Sequence, residues 1–389
     1  MGKKLEESRK RVCILRSNPV RPDSRVEKEV WTLKKAGYYV HILAWDRDTD
    51  VRETETVIQV ADVTVPITRL GYKASFGEGM KNIQAYLKFQ FHMRKWLKKN
   101  DFDIVHACDF DTAFFSQGVV RRKKKKFVFD IFDFIAGEPK NLFQKIIKKA
   151  QIFIIDHADA TIICTEERVK QIEGSKPQKL VVIHNTPATA QIGEERFLLP
   201  ETDRIKIVYV GILQDYRLLK EIAQAVAQTA NIELHIGGFG KYEEFFTQMS
   251  EKHDNINFYG RLTYDRTLAL EKECDIMLAI YDPAIENHRF AAPNKFYESL
   301  MLGKPVVMVK NTGMSQIVRE NEIGELIDYS QEGFIKGINE LIKKKTDWPA
   351  ISEKMTELYR EQFCWTEMDR RLVELYAGFE SEKDINCKQ

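Results

Sequence analysis

Short apolar runs alternate with amphipathic stretches along most of the chain. RVCIL (Arg11–Leu15) has almost no polar interruption and reads as a buried strand. From Val26 to Ala36 the apolar positions recur at helical spacing, with Asp23 or Ser24 as a cap and Gly37 as a stop. YYVHILAW (Tyr38–Trp45) is the next predicted strand. DIVHA from Asp103, KFVFDIF from Lys126, ATIICT from Ala160 and LVVIHN from Leu180 repeat the theme. Helices are predicted between them over Lys81–Lys99, Asp111–Val120, Leu142–Asp156 and Glu166–Glu173. Strands alternating with helices imply parallel strands joined by crossovers.

The pattern weakens from Thr186 to Thr202, where Pro, Gly and polar residues gather, and this stretch reads as a linker. It restarts with RIKIVYVG (Arg204–Gly211), a helix over Leu218–Ala230, then IELHIGGFG, INFYGRL, CDIMLAIYD and PVVMV. A last helical stretch covers Met355–Phe379. Two α/β domains in tandem are expected. In open parallel sheets ligands bind at the carboxyl ends of strands, near helix N-termini.

Composition narrows the field. The 389 residues are 43% hydrophobic and suit two or three domains. No apolar run approaches the roughly 18–20 residues of a membrane span. The start, MGKKLEESRKRVCIL, lacks a secretory signal pattern. Six scattered cysteines form no CxxC pair, so a reducing cytoplasm is expected and no disulfide framework or structural zinc. The net charge of +2 conceals a split: residues 1–200 carry 36 Lys/Arg against 26 Asp/Glu, and the remainder carries the acidic excess.

Three stretches concentrate the basic excess. Tyr86–Asn100 includes Lys95, Lys98 and Lys99. Arg121, Arg122, Lys123, Lys124, Lys125 and Lys126 form an unbroken run. Leu142–Ala150 includes Lys145, Lys148 and Lys149. Such features suit an anionic membrane surface at about 1 kcal/mol per basic residue; a solvated basic face fits the same pattern. The aromatic residues recur at helical spacing, as core packing does, so no nucleic acid is expected.

The most informative segment is FAAPNKFYESLMLGKPVVMV (Phe290–Val309). Pro293 stands where a helix should begin. The amides near Asn294 and Lys295, with the helix dipole, could bind a phosphate. Glu298 lies one turn further in on the same face and could accept bonds from ribose hydroxyls. From the spacing alone, an ordinary capped helix with solvated charges fits slightly better.

PNKFYESLMLGKPVV resembles the donor-site signature of retaining GT-B glycosyltransferases of the "glycosyl transferases group 1" set (family four), through Pro293, Lys295, Glu298, Gly303 and Pro305 in order. The resemblance implies that Glu298 holds the ribose of a nucleotide-sugar and that the amides of Asn294 and Lys295 face its diphosphate. A well-studied branch has a second Glu eight positions earlier; here it is Phe290. YVGILQDYRLLKEI, from Tyr209, supplies the turn glycine Gly211 and the expected phosphate-clamping Arg217. Ile212 replaces the family's first arginine, and Lys295 is the candidate to replace its charge. Gly238 and Gly240 (IGGFG) match a turn near the nucleotide, and Arg261 a loop near the base.

The first half resembles the family too. The opening P-D-x-R-V-x-K-E implies that Arg25 meets the acceptor or the donor phosphate. DIVHACDFDTA implies a catalytic-site role for His106 and Asp109, with Cys108 where some members have a sugar-contacting His. Asp130 and Asp133 are expected on the acceptor side. The DxD pairs Asp101/Asp103 and Asp109/Asp111 and the run Asp46, Asp48, Asp50 lack the context of a metal site, so no metal or other cofactor is expected.

The resemblance thus implies a doubly wound α/β GT-B fold with two Rossmann-like domains, 1–195 and 203–361, facing a cleft, and a helix over 362–380 packing back on the first. It implies retaining transfer of a hexosyl or N-acetylhexosaminyl group from a nucleoside-diphosphate sugar to a hydroxyl acceptor, a lipid-linked one among the candidates. The setting expected is peripheral, on the cytoplasmic membrane face, in polysaccharide or glycolipid assembly. A sugar-nucleotide epimerase of the same fold and a non-catalytic nucleotide-sugar-binding or scaffold protein are the alternatives. Base, sugar, acceptor and oligomeric state are not read from the sequence.

Overall fold

The computed structural model describes residues 9–75, 79–135, 139, 141–187 and 196–379. The charged start and 188–195 of the predicted linker lie outside the described residues. The chain divides into two compact units, one of Met1–His184 with Met368–Gln389 and one of Asn185–Glu367.

The first unit runs β1 (Arg11–Arg16), α1 (Ser24–Lys35), β2 (Tyr39–Asp46), β3 (Thr54–Val60), β4 (Val63–Gly71), α2 (Ile83–Lys99), β5 (Ile104–Cys108), α3 (Asp109–Arg122), β6 (Lys126–Ile131), α4 (Leu142–His157), β7 (Ala160–Ile163) and β8 (Leu180–Val182). Its sheet has the order β3-β4-β2-β1-β5-β6-β7-β8. Every neighbouring pair is parallel except β3 and β4. Strand β1 is covered on both faces, which is why Val12–Leu15 are all apolar and all 0% exposed. Helix α1 starts where Asp23 accepts from the Val26 amide. One face of the sheet is filled by Leu15, Trp45, Phe89, Trp96 and Phe129. Within that core Trp45 stacks on Phe89 at 5.1 Å.

The second unit runs β9 (Ile205–Ile212), α5 (Leu219–Ala227), β10 (Ile232–Phe239), α6 (Glu243–Lys252), β11 (Ile256–Phe258), α7 (Tyr264–Glu273), β12 (Ile276–Ala279), α8 (Asn294–Leu302), β13 (Val306–Val309), α9 (Ser315–Asn321), β14 (Gly324–Ile327), α10 (Gln331–Lys343) and α11 (Trp348–Leu358); α12 (Trp365–Ala377) follows. Its parallel sheet has the order β11-β10-β9-β12-β13-β14, that of a dinucleotide-type doubly wound domain. Both sheets are mixed with helices as the alternating pattern predicts.

Three expectations change. The β3–β4 hairpin was not predicted. β3 is the half-exposed edge strand, and β4, inside it, interrupts its apolar positions with Thr64, Pro66, Thr68 and Arg69, so no apolar run marks either. The helix expected over Glu166–Glu173 is a single 3-10 turn, Glu166–Lys170, with Arg168 buried against Gln171. The last stretch is two helices, not one. A wide π turn over Tyr359–Phe363 and an extended Cys364 separate α11 from α12. The turn lets Phe363 pack on Phe296 and Tyr297, with ring centres 6.0 and 5.7 Å away. The return to the first unit begins at Met368, whose sulfur accepts from the His184 amide at 3.1 Å.

One glycine is fixed by the β9–β10 register. Gly238 pairs with Gly211 and has φ +139; a Cβ there would lie 1.8 Å from the Gly211 carbonyl oxygen. Gly238→Ala should therefore destabilise by more than about 2 kcal/mol. Gly118 sits inside α3 with nothing within 4 Å of its added Cβ. Gly118→Ala should be neutral or stabilise by up to about 1 kcal/mol. Chemical unfolding of the two variants checks the contrast, which equal costs would contradict.

Candidate functional site

Strand order reverses at β1/β5 in the first unit and at β9/β12 in the second. Connections part there, leaving a crevice at the carboxyl ends of the strands. The expected site residues gather at these two places.

In the second unit, Gly211 is near the carboxyl end of β9. The Lys295 ammonium rises from the start of α8, and a Cβ on Gly211 would lie 2.7 Å from its Nζ. A side chain at Gly211 would require the lysine head to shift. Lys295 also sits 4.8 Å from the Tyr209 ring centre. Burial opposes its charge, but Tyr209, Tyr281, Glu298 and Glu271 more than offset this and raise its pKa. Arg217 lies 3.9 Å over the Tyr281 ring and 3.1 Å from His288 Nε2. Its charge also acts on the neighbouring Tyr209 phenol. Arg217 and Lys295 thus converge on one phenol, while Ile212, at the position of the family's first arginine, is half exposed. Tyr216 and Leu218, on either side of Arg217, have φ +66 and +54, a left-handed backbone uncommon for such residues and a frequent mark of functional loops.

Helix α8 begins at Pro293, which is buried and extended, and no side chain caps the amides that follow. Asn294 is exposed, and its Oδ1 accepts from Asn185 at 3.3 Å. Glu298 is 4% exposed, and the Tyr264 hydroxyl hydrogen-bonds it. Beside it, burial and then the Glu298 charge push Glu271 well above the usual carboxylate range. Gly238 and Gly240 are not free amide donors. Gly238 N–H donates to the Gly260 carbonyl at 2.7 Å and Gly240 N–H to Glu243 Oε1 at 2.7 Å. Their part is close backbone packing. Arg261 is exposed and lies 4.7 Å over the Phe239 ring.

In the first unit the expected open wall is instead a buried network. Arg25, at 4% exposure, donates Nε–H to Glu29 Oε1 at 3.1 Å and Nη2–H to Asp130 Oδ1 at 2.6 Å. His106 is fully buried. Its Nε2 lies 3.2 Å from Asp130 Oδ2 and its Nδ1 2.7 Å from the Tyr376 hydroxyl. Burial raises Tyr376, so the phenol remains a donor. Arg25, His106 and Asp130 therefore direct polar atoms to one another and to Glu29 and Tyr376. The reason is the fold: α1, β5 and β6 bring them together beneath the surface, and a lone buried charge would be costly. Burial, then the Asp130 charge, push Glu29 well above the usual range. Burial acts against Asp130 too, but Arg25 and the His106 hydrogen bond hold it low. Glu29, His106, Cys108 and Asp130 bring metal-type ligand atoms within 4.8 Å of one another. Arg25 already supplies the cation for both carboxyl groups.

Closer to solvent, Asp109 has φ +67 at the β5–α3 junction. Its Oδ1 accepts from the amides of Phe132 and Asp133 at 3.0 and 3.1 Å, and its Oδ2 from Arg16 at 2.5 Å. Burial pushes its pKa to about 6 against the pull of Arg16. Arg16 and Arg25 lie 4.2 and 4.3 Å from the centre of the Phe132 ring. Asp133 is exposed and pairs with Arg168 at 3.1 Å. Of the expected residues on this side, Asp109 and Asp133 are the accessible ones. Glu29 was passed over although its i+4 spacing from Arg25 signalled a pair. Tyr376, 270 residues from His106, gave no signal.

The basic residues are on the surface. Lys95, Lys98, Lys99, Arg121, Arg122, Lys124, Lys126, Lys145 and Lys149 are exposed; Lys123, Lys125 and Lys148 are half-buried.

Two doubly wound α/β units in one chain are the architecture of the GT-B fold. Family models match the chain almost end to end. "Glycosyltransferase Family 4" covers residues 26–191 and "Glycosyl transferases group 1" covers 192–362. The chain belongs to the group 1 glycosyltransferases. Solved structures agree in fold. Sucrose-phosphate synthase from Thermosynechococcus elongatus is 15% identical with a TM-score of 0.73, over 95% of this chain and 99% of that one. Anabaena HepE, solved with UDP, is 12% identical with a TM-score of 0.66, over 95% and 100%. The lipopolysaccharide outer core galactosyltransferase WaaB is 15% identical with a TM-score of 0.62, over 97% and 100%. A search of curated protein sequences finds no significant match.

The first-unit network makes an asymmetric prediction. Asp130, held low, adds stability that is present above its ordinary 3.8 and fades as pH falls below it. Glu29, held high, adds stability at acid pH that is lost as pH rises through its raised value. At pH 5, Glu29→Gln should cost less than about 1 kcal/mol, since it keeps a neutral group. Asp130→Asn should cost about 3–5 kcal/mol by stranding Arg25. From pH 5 to 9 the Gln variant should gain on the parent. Urea unfolding across this range tests it; equal costs for the two substitutions would show the proton is not on Glu29.

Proposed function

We propose that this glycosyltransferase moves a hexosyl or N-acetylhexosaminyl group from a nucleoside-diphosphate sugar to a hydroxyl acceptor, with retention of anomeric configuration. The observation that carries the donor is the meeting of Arg217 and Lys295 around Tyr209 at an uncapped helix start. Two cations and free amides suit a diphosphate. Lys295 replaces the charge that Ile212 lacks. Neighbours solved with UDP and with UDP-2-fluoro glucose support the same donor class. Glu298, beside this helix start, is the ribose acceptor in the reading, sharing its carboxylate with Tyr264.

The reaction breaks the bond from the anomeric carbon to the donor phosphate oxygen and forms one to the acceptor oxygen on the same face. The acceptor proton passes to the leaving phosphate. The chain supplies charge stabilisation and orientation rather than a nucleophile. In this reading Asp109 and Asp133 face the acceptor, while Arg25, His106 and Asp130 hold the strand ends in place. No metal is required, because the two cations take its role. The setting proposed is polysaccharide or glycolipid assembly on the cytoplasmic membrane face, with a lipid-linked acceptor. The described residues contain no helix long and apolar enough to cross a membrane, which fits peripheral attachment.

Arg217→Ala and Lys295→Ala should each weaken donor binding by about 2 kcal/mol, roughly thirtyfold. Thermal shifts and titration with UDP- and GDP-sugars measure this, and unchanged affinity in both variants would sink the clamp. NMR of the product should give the donor's anomeric configuration. An epimer formed from the nucleotide-sugar alone would favour the epimerase alternative.

A further inference from the structure

The helices that follow β4, β5 and β6 lie together on one face of the first sheet, as right-handed crossovers require. Their outer surface is unusually apolar. On α2, Ile83, Leu87 and Phe91 are exposed at i, i+4 and i+8, Phe91 by 74%. Phe114 of α3 is half exposed between them and α4. On α4, Leu142 and Phe143 are 74% and 70% exposed, with Ile146 and Phe153 also open. At 100° per residue, Leu142, Ile146 and Phe153 lie on the side of α4 opposite its buried Gln151, Ile154 and Ile155. This helix is apolar on two opposite faces, and the core uses only one.

The same surface is cationic. Residues 83–99 contain five Lys/Arg and no acid; residues 142–155 contain three lysines and no acid. A second copy of the chain would bring like charges together. An anionic lipid surface matches both the apolar side chains and the charge.

We infer that this outer face docks on an anionic bilayer, with Leu142, Phe143, Ile146, Leu87 and Phe91 entering the interface. The inference deepens the proposed membrane setting and rests on it. It also moves the contact away from the basic run. Lys125 pairs with Asp101 at 3.1 Å, Lys126 with Asp159 at 2.6 Å, and Lys123 donates to the Asn100 carbonyl at 2.6 Å. That run precedes β6, at the amino ends of the strands. The first turns of α2 and α4 follow β4 and β6, at their carboxyl ends. Docking through these turns brings the Asp109 edge toward the lipid, where a lipid-linked acceptor would be presented.

The test is flotation of the whole protein with phosphatidylcholine vesicles containing phosphatidylglycerol, and with phosphatidylcholine alone. The parent should float with the anionic vesicles and keep part of its binding at 0.5 M salt. Leu142→Ser with Ile146→Ser should weaken binding at least tenfold without lowering the melting temperature, since both side chains are exposed. Lys123→Gln with Lys125→Gln should change it less than twofold. Parent-like binding by the Ser variant, loss of all binding in high salt, or no binding by the parent would overturn the inference. So would a parent dimer, seen by light scattering, that the Ser substitutions dissolve. Donor hydrolysis in the same samples separates the two readings. Hydrolysis without vesicle binding removes the docking face alone; vesicle binding without hydrolysis removes the transferase reading.

Discussion

Parallel strands all end at one edge, and every connection must leave from that edge. Where strand order reverses, two adjacent connections part in opposite directions and cannot cover the strand ends between them. Each unit has one such place, after β1 and β5 in the first and after β9 and β12 in the second. Arg25, His106, Asp109 and Asp130 lie around the first gap, and Gly211, Arg217 and Lys295 around the second. The left-handed residues Asp109, Tyr216 and Leu218 also fall there. They mark short connections that turn sharply from strand into helix.

The two gaps dispose of their charge in opposite ways. In the first unit each arginine meets a carboxylate: Arg25 meets Asp130, and Arg16 meets Asp23 and Asp109. Such pairs neutralise each other, and the result is a stiff strand-end platform with little charge to offer. In the second unit the cations rest on rings, Lys295 on Tyr209 and Arg217 on Tyr281. A ring steadies a cation at about 0.5–2 kcal/mol without cancelling its charge. Burial pushes the pKa of the neighbouring Glu271 up and so disfavours its charge. The second gap is therefore pre-set for an anionic ligand.

The fold was largely legible because both sheets are built from short uninterrupted apolar strands, which carry the strongest signal in a sequence. The β3–β4 hairpin was not, since polar residues interrupt both of its strands and they look like loop. The Phe290–Val309 segment was legible as a site because a helix start, a lysine and a strand stand in fixed order. That Lys295 comes close to Gly211 was also foreseeable, since one lies at the start of a helix and the other at the end of a strand that meet there. The burial of Arg25, His106 and Asp130 was not. Whether a strand-end polar residue faces ligand or core depends on partners such as Tyr376, which arrive from the far end of the chain.

Charge misleads in a related way. A run such as Arg121–Lys126 is conspicuous because its residues are adjacent. Its electrostatic reach is set by what the fold places beside it, here Asp101, Asp103 and Asp159. The opposite holds for α4. Its lysines are fewer, but no acid comes from its own first three turns, and its spare apolar face is invisible to a reading that assigns each helix one apolar stripe. A helix with two such faces has satisfied the core with one. The other raises the free energy of the protein in water, and a surface that covers it recovers about 25 cal/mol per Å². The same lysines that keep this face soluble then choose which surface can cover it.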